Sequence, residues 1–373
     1  MLAISALIVT IVTLLSSWGG ITGTHVNQPQ SGQVTGPNQL QLARASLGAT
    51  PSAAGPAWTQ ITTATNSTPS PRDVAAMAYD ASDGYVVLFG GHNSAGHALS
   101  DTWKFQAGTW TRLHPAHSPP ARWGVQMVYD AKDGYVVSFG GQAVRFNGYF
   151  YDSNDTWAFR GGNWTDLTNS SAPTPGSRSF GGFSYDSADG YAVLYGGIYN
   201  LANGSTHWFS DTWTFSGRNW TLLPVPATAH PPARYAAMMT YDTSDRHILL
   251  FGGYGPSQGV MSDTWTFHAG HWKNLSLATH PGARYAGSAT YDSNLSEVFL
   301  FGGVDGSGGW YYDTWSFHAG AWSLLTISGP SARDTFPFVD DRADHCAVLF
   351  GGFGQINVYG STGRLADTWE VTG

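Results

Sequence analysis

Short apolar runs and polar turns repeat along the chain with a period of about 50 residues, starting near Trp58. Six apolar runs end in Gly-Gly, and they read YVVLFGG, YVVSFGG, YAVLYGG, HILLFGG, VFLFGG and CAVLFGG. A run with no polar alternation predicts a strand that is buried on both faces, because a half-exposed strand alternates apolar and polar residues. Each run is therefore expected to be a central strand between two neighbouring sheets.

Each repeat carries the same polar and aromatic positions around this central strand. An arginine precedes it, an Asp-Thr-Trp sequence follows the Gly-Gly after a variable loop, and a short turn leads to a last strand that contains a tryptophan. Such a unit predicts four antiparallel strands, which cannot cover their own faces but can do so when six units stack around an axis. The sequence therefore predicts an all-β protein, a six-bladed β-propeller whose repeated tryptophans are core residues.

The two ends of the repeat region predict how the ring closes. The sixth unit stops at Asp367-Thr-Trp-Glu-Val-Thr-Gly373 without a fourth strand, while Trp58-Thr-Gln-Ile precedes the first unit as an unassigned strand. We expect the strand near Trp58 to complete the last blade. Blade six departs most from the pattern, with Val339-Asp340 read in the place of Tyr-Asp and Pro337 within the inner strand.

The arrangement of these motifs over residues 58–373 resembles the kelch-repeat six-bladed β-propellers, part of the galactose oxidase-like kelch superfamily. The resemblance implies a propeller that most often serves as a protein-interaction scaffold. Some members are copper oxidases that join a cysteine to a tyrosine near copper, but the sole cysteine here, Cys346, lies in the middle of a blade. Others are sialic-acid mutarotases, which this chain matches in its blade scaffold alone.

The arginines and aspartates of the repeat predict a structural pair in each blade. The arginine opens the first strand and the aspartate opens the third, so both lie at the same blade end, about 9.5 Å apart across the second strand. Because the intervening Gly-Gly has no side chain, the guanidinium can reach the carboxylate. The predicted structural residues are Arg72, Arg122, Arg178, Arg234, Arg284 and Arg333 with Asp101, Asp155, Asp211, Asp263, Asp313 and Asp367.

Function is expected on the face that carries the variable loops 92–100, 142–154, 198–210, 254–262, 304–312 and 353–366. These loops are rich in aromatic residues, and variable aromatic loops on a rigid scaffold are typical of recognition surfaces for proteins or glycans. We expect about half of the rings to order the loops instead. The candidate ligand-binding residues are Phe146, Tyr149, Phe150, Tyr151, Tyr199, Trp208, Phe209, Trp310, Tyr311, Phe353 and Tyr359.

Composition narrows the functional classes. The net charge of −8, from 17 Lys+Arg against 25 Asp+Glu, lacks the basic footprint of a nucleic-acid binder. No HExxH, calcium loop or phosphate loop occurs, and the loop carboxylates are few, chiefly Asp152 and Asp305. The sequence therefore predicts no catalytic residue, metal site or cofactor. The alternative is a carbohydrate-active enzyme that resembles a mutarotase or epimerase and uses an axial pocket. Carboxylates that converge at the channel mouth would favour this enzyme. A third reading is a structural surface-coat protein.

The first 57 residues predict export. Leu2–Leu15 is an uninterrupted apolar run, so residues 1–20 are expected to be a signal peptide or an N-terminal membrane anchor that reaches from residue 2 to 18. Residues 21–57 have the composition of a flexible linker to the propeller at 58–373. Eight Asn-x-Ser/Thr sequons fall in expected turns and loops. The expected location is extracellular or at the cell surface, and the expected state is monomeric.

Overall fold

The computed structural model describes residues 55–61, 68–144, 150–169, 172–201, 203–226, 228–356 and 361–373. Their secondary structure consists of antiparallel strands, and no helix occurs among them. The expected signal peptide or anchor at 1–20 and most of the expected linker lie outside the described residues. Six four-stranded sheets confirm the all-β propeller predicted from the sequence.

We call the six sheets blades one to six, and the strands of each blade are given from the innermost to the outermost. Blade one contains Ala76–Asp80, Tyr85–Phe89, Thr102–Gln106 and Thr109–Leu113. Blade two contains Gln126–Asp130, Tyr135–Phe139, Thr156–Arg160 and Asn163–Asp166. Blade three contains Gly182–Asp186, Tyr191–Tyr195, Thr212–Ser216 and Asn219–Leu223. Blade four contains Met238–Asp242, His247–Phe251, Thr264–His268 and His271–Leu275. Blade five contains Ser288–Asp292, Glu297–Phe301, Thr314–His318 and Ala321–Leu325. Blade six contains Phe338–Asp341, Cys346–Phe350, Thr368–Thr372 and Ala57–Ile61.

Shorter strands lie on the face of the variable loops, which we call the long-loop face. They form small sheets that pair Arg72–Asp73 with His92–Asn93, and Ile198–Asn200 with Thr206–Trp208. Tyr254–Gly255 pairs with Gly259–Val260. Two three-stranded sheets contain Arg122–Trp123, Gln142–Val144 and Phe150–Asp152, and Arg333–Asp334, Phe353–Gln355 and Thr362–Arg364.

The second strand of each blade packs against both neighbouring blades, which explains its unbroken apolar pattern. In blade one, Val87 and Phe89 pack against blade two, while Val86 and Leu88 pack against blade six. All four side chains are fully buried. Corresponding apolar clusters join blades two and three, three and four, four and five, and five and six, so the packing continues around the whole ring.

The N-terminal strand Ala57–Ile61 is the fourth strand of blade six. It pairs antiparallel with Thr368–Thr372, and Trp58 lies opposite Val371. The Trp58 indole also donates a hydrogen bond to Thr314 Oγ1 in blade five at 3.0 Å. This bond is one of six equivalent bonds of 2.9–3.0 Å, the others being Trp110 to Thr368, Trp164 to Thr102, Trp220 to Thr156, Trp272 to Thr212, and Trp322 to Thr264.

Six backbone hydrogen bonds form a second closure, around the propeller axis. The residue two positions after each repeat arginine donates its N–H to the carbonyl of its equivalent in the adjacent blade, at 2.7–3.1 Å. All of these residues have φ between 50° and 62°. We call them the axial ring, and they are Val74, Gly124, Phe180, Ala236, Ala286 and Thr335. The left-handed backbone turns the chain at these residues. The inner strand therefore begins after the axial ring, whereas the sequence had indicated that it begins at the arginine.

Blade six corrects the expected register of its inner hairpin. Asp341 pairs with Cys346 as Asp80 pairs with Tyr85, so Asp340-Asp341, and not Val339-Asp340, stands in the place of Tyr-Asp. Asp341 Oδ1 accepts the backbone N–H groups of Ala343 and Asp344, and these two bonds hold the turn in this register. The inner strand begins at Phe338, directly after Pro337, because proline has no N–H for the ladder.

Candidate functional site at the axial mouth

Two sets of equivalent residues surround the axis on the long-loop side of the axial ring. The inner set directly follows the repeat arginines and consists of Asp73, Trp123, Ser179, Tyr235, Tyr285 and Asp334. The outer set directly follows the Gly-Gly pairs and consists of His92, Gln142, Ile198, Tyr254, Val304 and Phe353. Each inner residue pairs with the outer residue of its own blade. We call these twelve residues the axial mouth.

Two carboxylates lie side by side in the inner set, one from blade one and one from blade six. Asp73 Oδ1 accepts a hydrogen bond of 2.7 Å from Arg364 Nε. Asp334 accepts 2.9 Å from the Trp310 indole and 2.8 Å from the Thr335 hydroxyl, which are both neutral donors. Asp73 is 3% exposed and Asp334 is 1% exposed. Among the described residues, the mouth therefore holds one carboxylate with a cationic partner and one without.

Burial raises the pKa of both carboxyl groups. The pKa of Asp73 rises to about 6, with Arg364 opposing the effect of burial. The pKa of Asp334 rises to about 7, because burial and the charge of Asp73 outweigh the bonds from Thr335 and Trp310. Burial and the Arg364 charge lower the pKa of His92 to about 4, so its contact of 3.8 Å with Asp73 is not an ion pair at neutral pH.

Aromatic rings from blades three to five form the other side of the mouth. The Tyr235, Tyr254 and Tyr285 rings contact one another with centroids 5.4–6.0 Å apart, and Trp208 packs on Tyr235 at 5.5 Å. The three tyrosine hydroxyls have no hydrogen-bond partner among the described residues. Burial raises the pKa of Tyr235 and Tyr285, and the Asp334 charge acts in the same direction.

The axial channel continues below the ring, where both polar and apolar groups line it. A cavity of about 220 Å³ is lined by the inner strands, including the side chains of Met77, Met127 and Met239. Gln126 also lines it, and its Oε1 has no hydrogen-bond partner among the described residues. Among the described residues, no charged side chain lines this cavity, whereas a further cavity of about 270 Å³ along the inner strands is lined by Asp340 and Arg342 among others.

The structure distributes the aromatic candidates over several environments. Trp310 and Phe353 contact each other on the acidic side of the mouth, with centroids 5.9 Å apart, and Trp208 lies on the aromatic side. Other candidate rings cover buried residues or pair within the loop sheets. They are Phe209 over Arg178 at 3.7 Å, Tyr311 over Arg284 at 3.7 Å, Phe150 against Trp123 at 4.4 Å, Tyr151 opposite Ala143, and Tyr199 opposite His207. Phe146, Tyr149 and Tyr359 lie outside the described residues.

The arginine and aspartate of each repeat lie together in all six blades. Each guanidinium donates two bonds of 2.6–2.9 Å to its aspartate, and further bonds to backbone carbonyls. The same carboxylate accepts the indole N–H of the following tryptophan, as Asp155 does from Trp157. Burial works to raise the pKa of Asp155, but the bonds and charge of Arg122 outweigh it and hold the pKa below its usual value. The arginine side chains are no more than 1% exposed, so they offer no free surface to a ligand.

The remaining polar candidates have partners within the protein. Asp152 accepts the Ser179 hydroxyl at 2.7 Å and the Asn200 N–H at 2.8 Å, so it connects blades two and three. Asp305 accepts N–H groups of its own loop. Among the described residues one trio, Asp242, Asp245 and His247, has potential metal-ligand atoms within 4.8 Å of one another, in the inner hairpin of blade four. It lies on the opposite face from the mouth.

Reasoning from the sequence missed most of the axial mouth. Asp73, Asp334, Tyr235 and Tyr285 follow the invariant arginines, and Arg364 lies at the end of a long loop. A usable signal was present, because the position after the arginine reads Asp, Trp, Ser, Tyr, Tyr and Asp in six otherwise uniform repeats. Variation directly after an arginine that all six repeats share indicates a surface that the scaffold does not constrain.

Comparison with known proteins identifies the repeat. A family model described as the KLHDC2/KLHL20/DRC7 Kelch-repeats domain matches residues 182–371, which is just over half of the 373-residue chain. The dynein alpha chain of the flagellar outer arm from Chlamydomonas reinhardtii is 26% identical over 142 residues. That match covers 36% of this chain and 3% of the dynein chain, so the chain spans a small fraction of that relative. Within the described parts of the chain, no helix has the length and apolar character needed to cross a membrane.

Proposed function

Because the chain belongs to the kelch-repeat family, we propose that it is a protein-binding propeller that takes its partner over the axial mouth. The observation that carries this proposal is the convergence of Asp73, Asp334, Arg364 and the tyrosine cluster of blades four and five at one opening. A rigid ring that presents aromatic and charged groups together suits a protein surface, where buried aromatic anchors and a few charges supply most of the binding energy.

Selection of random displayed peptides for binding to the full chain tests this proposal. Peptides selected for binding are measured again with two variants. Trp310→Ala removes the ring that donates to Asp334, and His268→Ala changes an exposed strand end on the opposite face. We expect Trp310→Ala to weaken binding at least tenfold and His268→Ala to leave it unchanged, while the melting temperature monitors the fold. Peptides whose binding weakens in His268→Ala but not in Trp310→Ala would contradict the proposal. So would a chain that binds glycans on an array but selects no peptide.

A second candidate function is a carbohydrate-active enzyme of the mutarotase or epimerase type. One observation favours it, namely that Asp73 and Asp334 meet at the mouth with pKa values of about 6 and about 7, within range of proton transfer at neutral pH. The assay follows the anomeric or epimeric equilibration of a panel of free sugars by NMR. Turnover that Asp334→Asn abolishes would favour the enzyme, and rates equal to the buffer rate would remove this candidate.

Export of the chain is a further part of the proposal. The apolar run Leu2–Leu15 and the sequons in the loops support a location outside the cell. The location can be measured in cells that express either the full chain or a chain lacking residues 1–20. The cells are fractionated and treated with external protease. We expect the full chain outside the cell or on its surface, and the shortened chain inside.

A further inference from the structure

We infer that the axial mouth binds a lysine or arginine side chain of the protein partner, with its cationic group held between Asp334 and the Tyr235 and Tyr285 rings. This inference rests on the proposed function and specifies the chemistry of the partner. It combines four features of the mouth, namely a buried carboxylate that has no cationic partner among the described residues, two largely buried phenol rings, unpaired polar groups in the blade-two part of the mouth, and the charge of the chain.

Asp334 is the first feature. The aspartates of the six arginine pairs each have a guanidinium partner, whereas Asp334 receives bonds from the neutral groups of Trp310 and Thr335. The cation of this side of the mouth, Arg364, is engaged by Asp73 and also donates to Nδ1 of His92. A buried carboxylate gains most from a cation, because the low dielectric around it strengthens the attraction and its charge is otherwise uncompensated.

Tyr235 and Tyr285 are the second feature. Each is 8% exposed, and both rings belong to the aromatic cluster of the mouth. Tyr285 and Asp334 occupy equivalent positions in blades five and six, which the bond from Thr335 N–H to Ala286 C=O joins, and the Tyr235 ring contacts Tyr285. Asp334 accepts its bonds from Trp310 and Thr335 and not from these phenols. A cationic group placed at these positions would meet a carboxylate on one side and aromatic rings on the other, which is the environment that attracts an ammonium or guanidinium ion.

The blade-two part of the mouth favours a peptide over a small free amine. The Trp123 indole N–H and the Gln142 Oε1 are buried at 2% and 3% exposure, and neither has a hydrogen-bond partner among the described residues. One is a donor and the other an acceptor, which matches the C=O and N–H that a peptide backbone offers. The long apolar stem of lysine or arginine can pass along the aromatic rim while its charged end reaches Asp334.

The charge of the chain agrees with a basic partner. The net charge of the chain is −8. An acidic surface raises the local concentration of cationic groups and disfavours acidic ones.

Four matched peptides test the inference on the full chain, namely acetyl-Gly-Ser-X-Ser-Gly-amide with lysine, arginine, norleucine or glutamate at X. Binding is followed through the indole N–H signals in the NMR spectrum, with the Trp310 signal assigned from Trp310→Phe. We expect the lysine or arginine peptide to bind at least tenfold more tightly than the norleucine peptide and to shift the Trp310 signal. Asp334→Asn should remove that preference, whereas the control Asp305→Asn, on the same face, should change the Kd less than threefold.

The pH dependence of binding supplies a measurement that needs no variant. With the Asp334 pKa at about 7 in the empty mouth, the carboxylate form rises from about one tenth at pH 6 to nine tenths at pH 8, so the lysine peptide should bind about tenfold more tightly at pH 8. Asp73, with a pKa of about 6, acts in the same direction. His92 stays neutral over this range, and Tyr235 and Tyr285 stay protonated, because their pKa values are shifted away from it. Arg364 keeps its charge throughout.

The outcomes separate this inference from the proposed function. Equal binding of the lysine, arginine and norleucine peptides overturns the inference, as does tighter binding of the basic peptides that survives in Asp334→Asn. Displayed peptides that depend on Trp310 but not on a basic residue would overturn the inference and leave the proposed function standing. Absence of any displayed peptide on the long-loop face would overturn the proposed function itself.

Discussion

Replacement of Trp58 by alanine tests whether the N-terminal strand holds the ring closed. The Trp58 side chain is 8% exposed, and its ring lies 5.4 Å from those of Phe301 in blade five and Phe338 in blade six. Its indole also donates to Thr314 at 3.0 Å. Removal of a core tryptophan typically costs about 3–5 kcal/mol, of which one hydrogen bond accounts for about 1 kcal/mol. We expect Trp58→Ala to lower the free energy of unfolding by that total.

Trp164→Ala is the matched control, because Trp164 makes the equivalent bond to Thr102 within an uninterrupted part of the chain. Urea unfolding of both variants, followed by tryptophan fluorescence and circular dichroism, gives the two losses. Equal losses would show that the N-terminal strand is held as firmly as any other outer strand. A loss below about 1 kcal/mol for Trp58→Ala, beside a normal loss for Trp164→Ala, would refute the closure argument.

Three further predictions concern charge and packing. Arg122→Ala should lower the free energy of unfolding at pH 7 by about 3–5 kcal/mol, because it leaves the partly buried Asp155 without its cation. Since the folded-state pKa of Asp155 is depressed, this loss should shrink in unfolding measurements as pH falls below about 4, and a loss independent of pH would contradict it. Gly329→Ala should cost about 1–3 kcal/mol in the same assay, because its Cβ would lie 2.6 Å from Trp58 Cδ1, and an unchanged stability would contradict that contact. Asp334→Asn should stabilise the protein at pH 8 by on the order of 1–3 kcal/mol and have little effect at pH 4, because the raised pKa of Asp334 means that the native protein loses stability as pH rises from about 4 to 7. A melting temperature that does not rise at pH 8 would contradict it.

The last of these predictions connects stability with the inferred binding site. A carboxylate that is buried without a cation destabilises the free protein, and a substitution that removes the charge should stabilise the fold while it removes the affinity for a basic peptide. Opposite signs for stability and binding are expected where a protein retains an unfavourable group for function. Measurement of both quantities on Asp334→Asn therefore distinguishes a binding residue from a structural one.

Much of the fold could be predicted because each blade is a local unit that repeats. The apolar runs gave the central strands, and the spacing of arginine, Gly-Gly and aspartate indicated that these groups meet at one blade end. Prediction was wrong where one blade departs from the others, since the Asp340-Asp341 sequence in blade six can be aligned in two registers. The pairing of Asp341 with Cys346 and the backbone bonds to its carboxylate select one of them.

The candidate site was less predictable because it is formed by residues distant in sequence. The aromatic content of the long loops indicated the face on which Trp208, Trp310 and Phe353 lie at or beside the axial mouth. Composition could not show that Phe209 and Tyr311 stack on buried arginines, since an exposed ring and a ring over a guanidinium look alike in sequence. The binding role of the loop aromatics stays a prediction.

The amino-acid sequence alone determined the strand order, the number of blades and the residues that bury each sheet, because those features depend on patterns within about 50 residues. Tertiary structure decided which groups meet at the axis. Asp73 and Asp334 are 261 positions apart in the chain and become neighbours because blades one and six are joined by the axial ring and by the strand that contains Trp58. A circle closed by its two ends brings together the residues that are most distant in sequence, and no local pattern records that proximity.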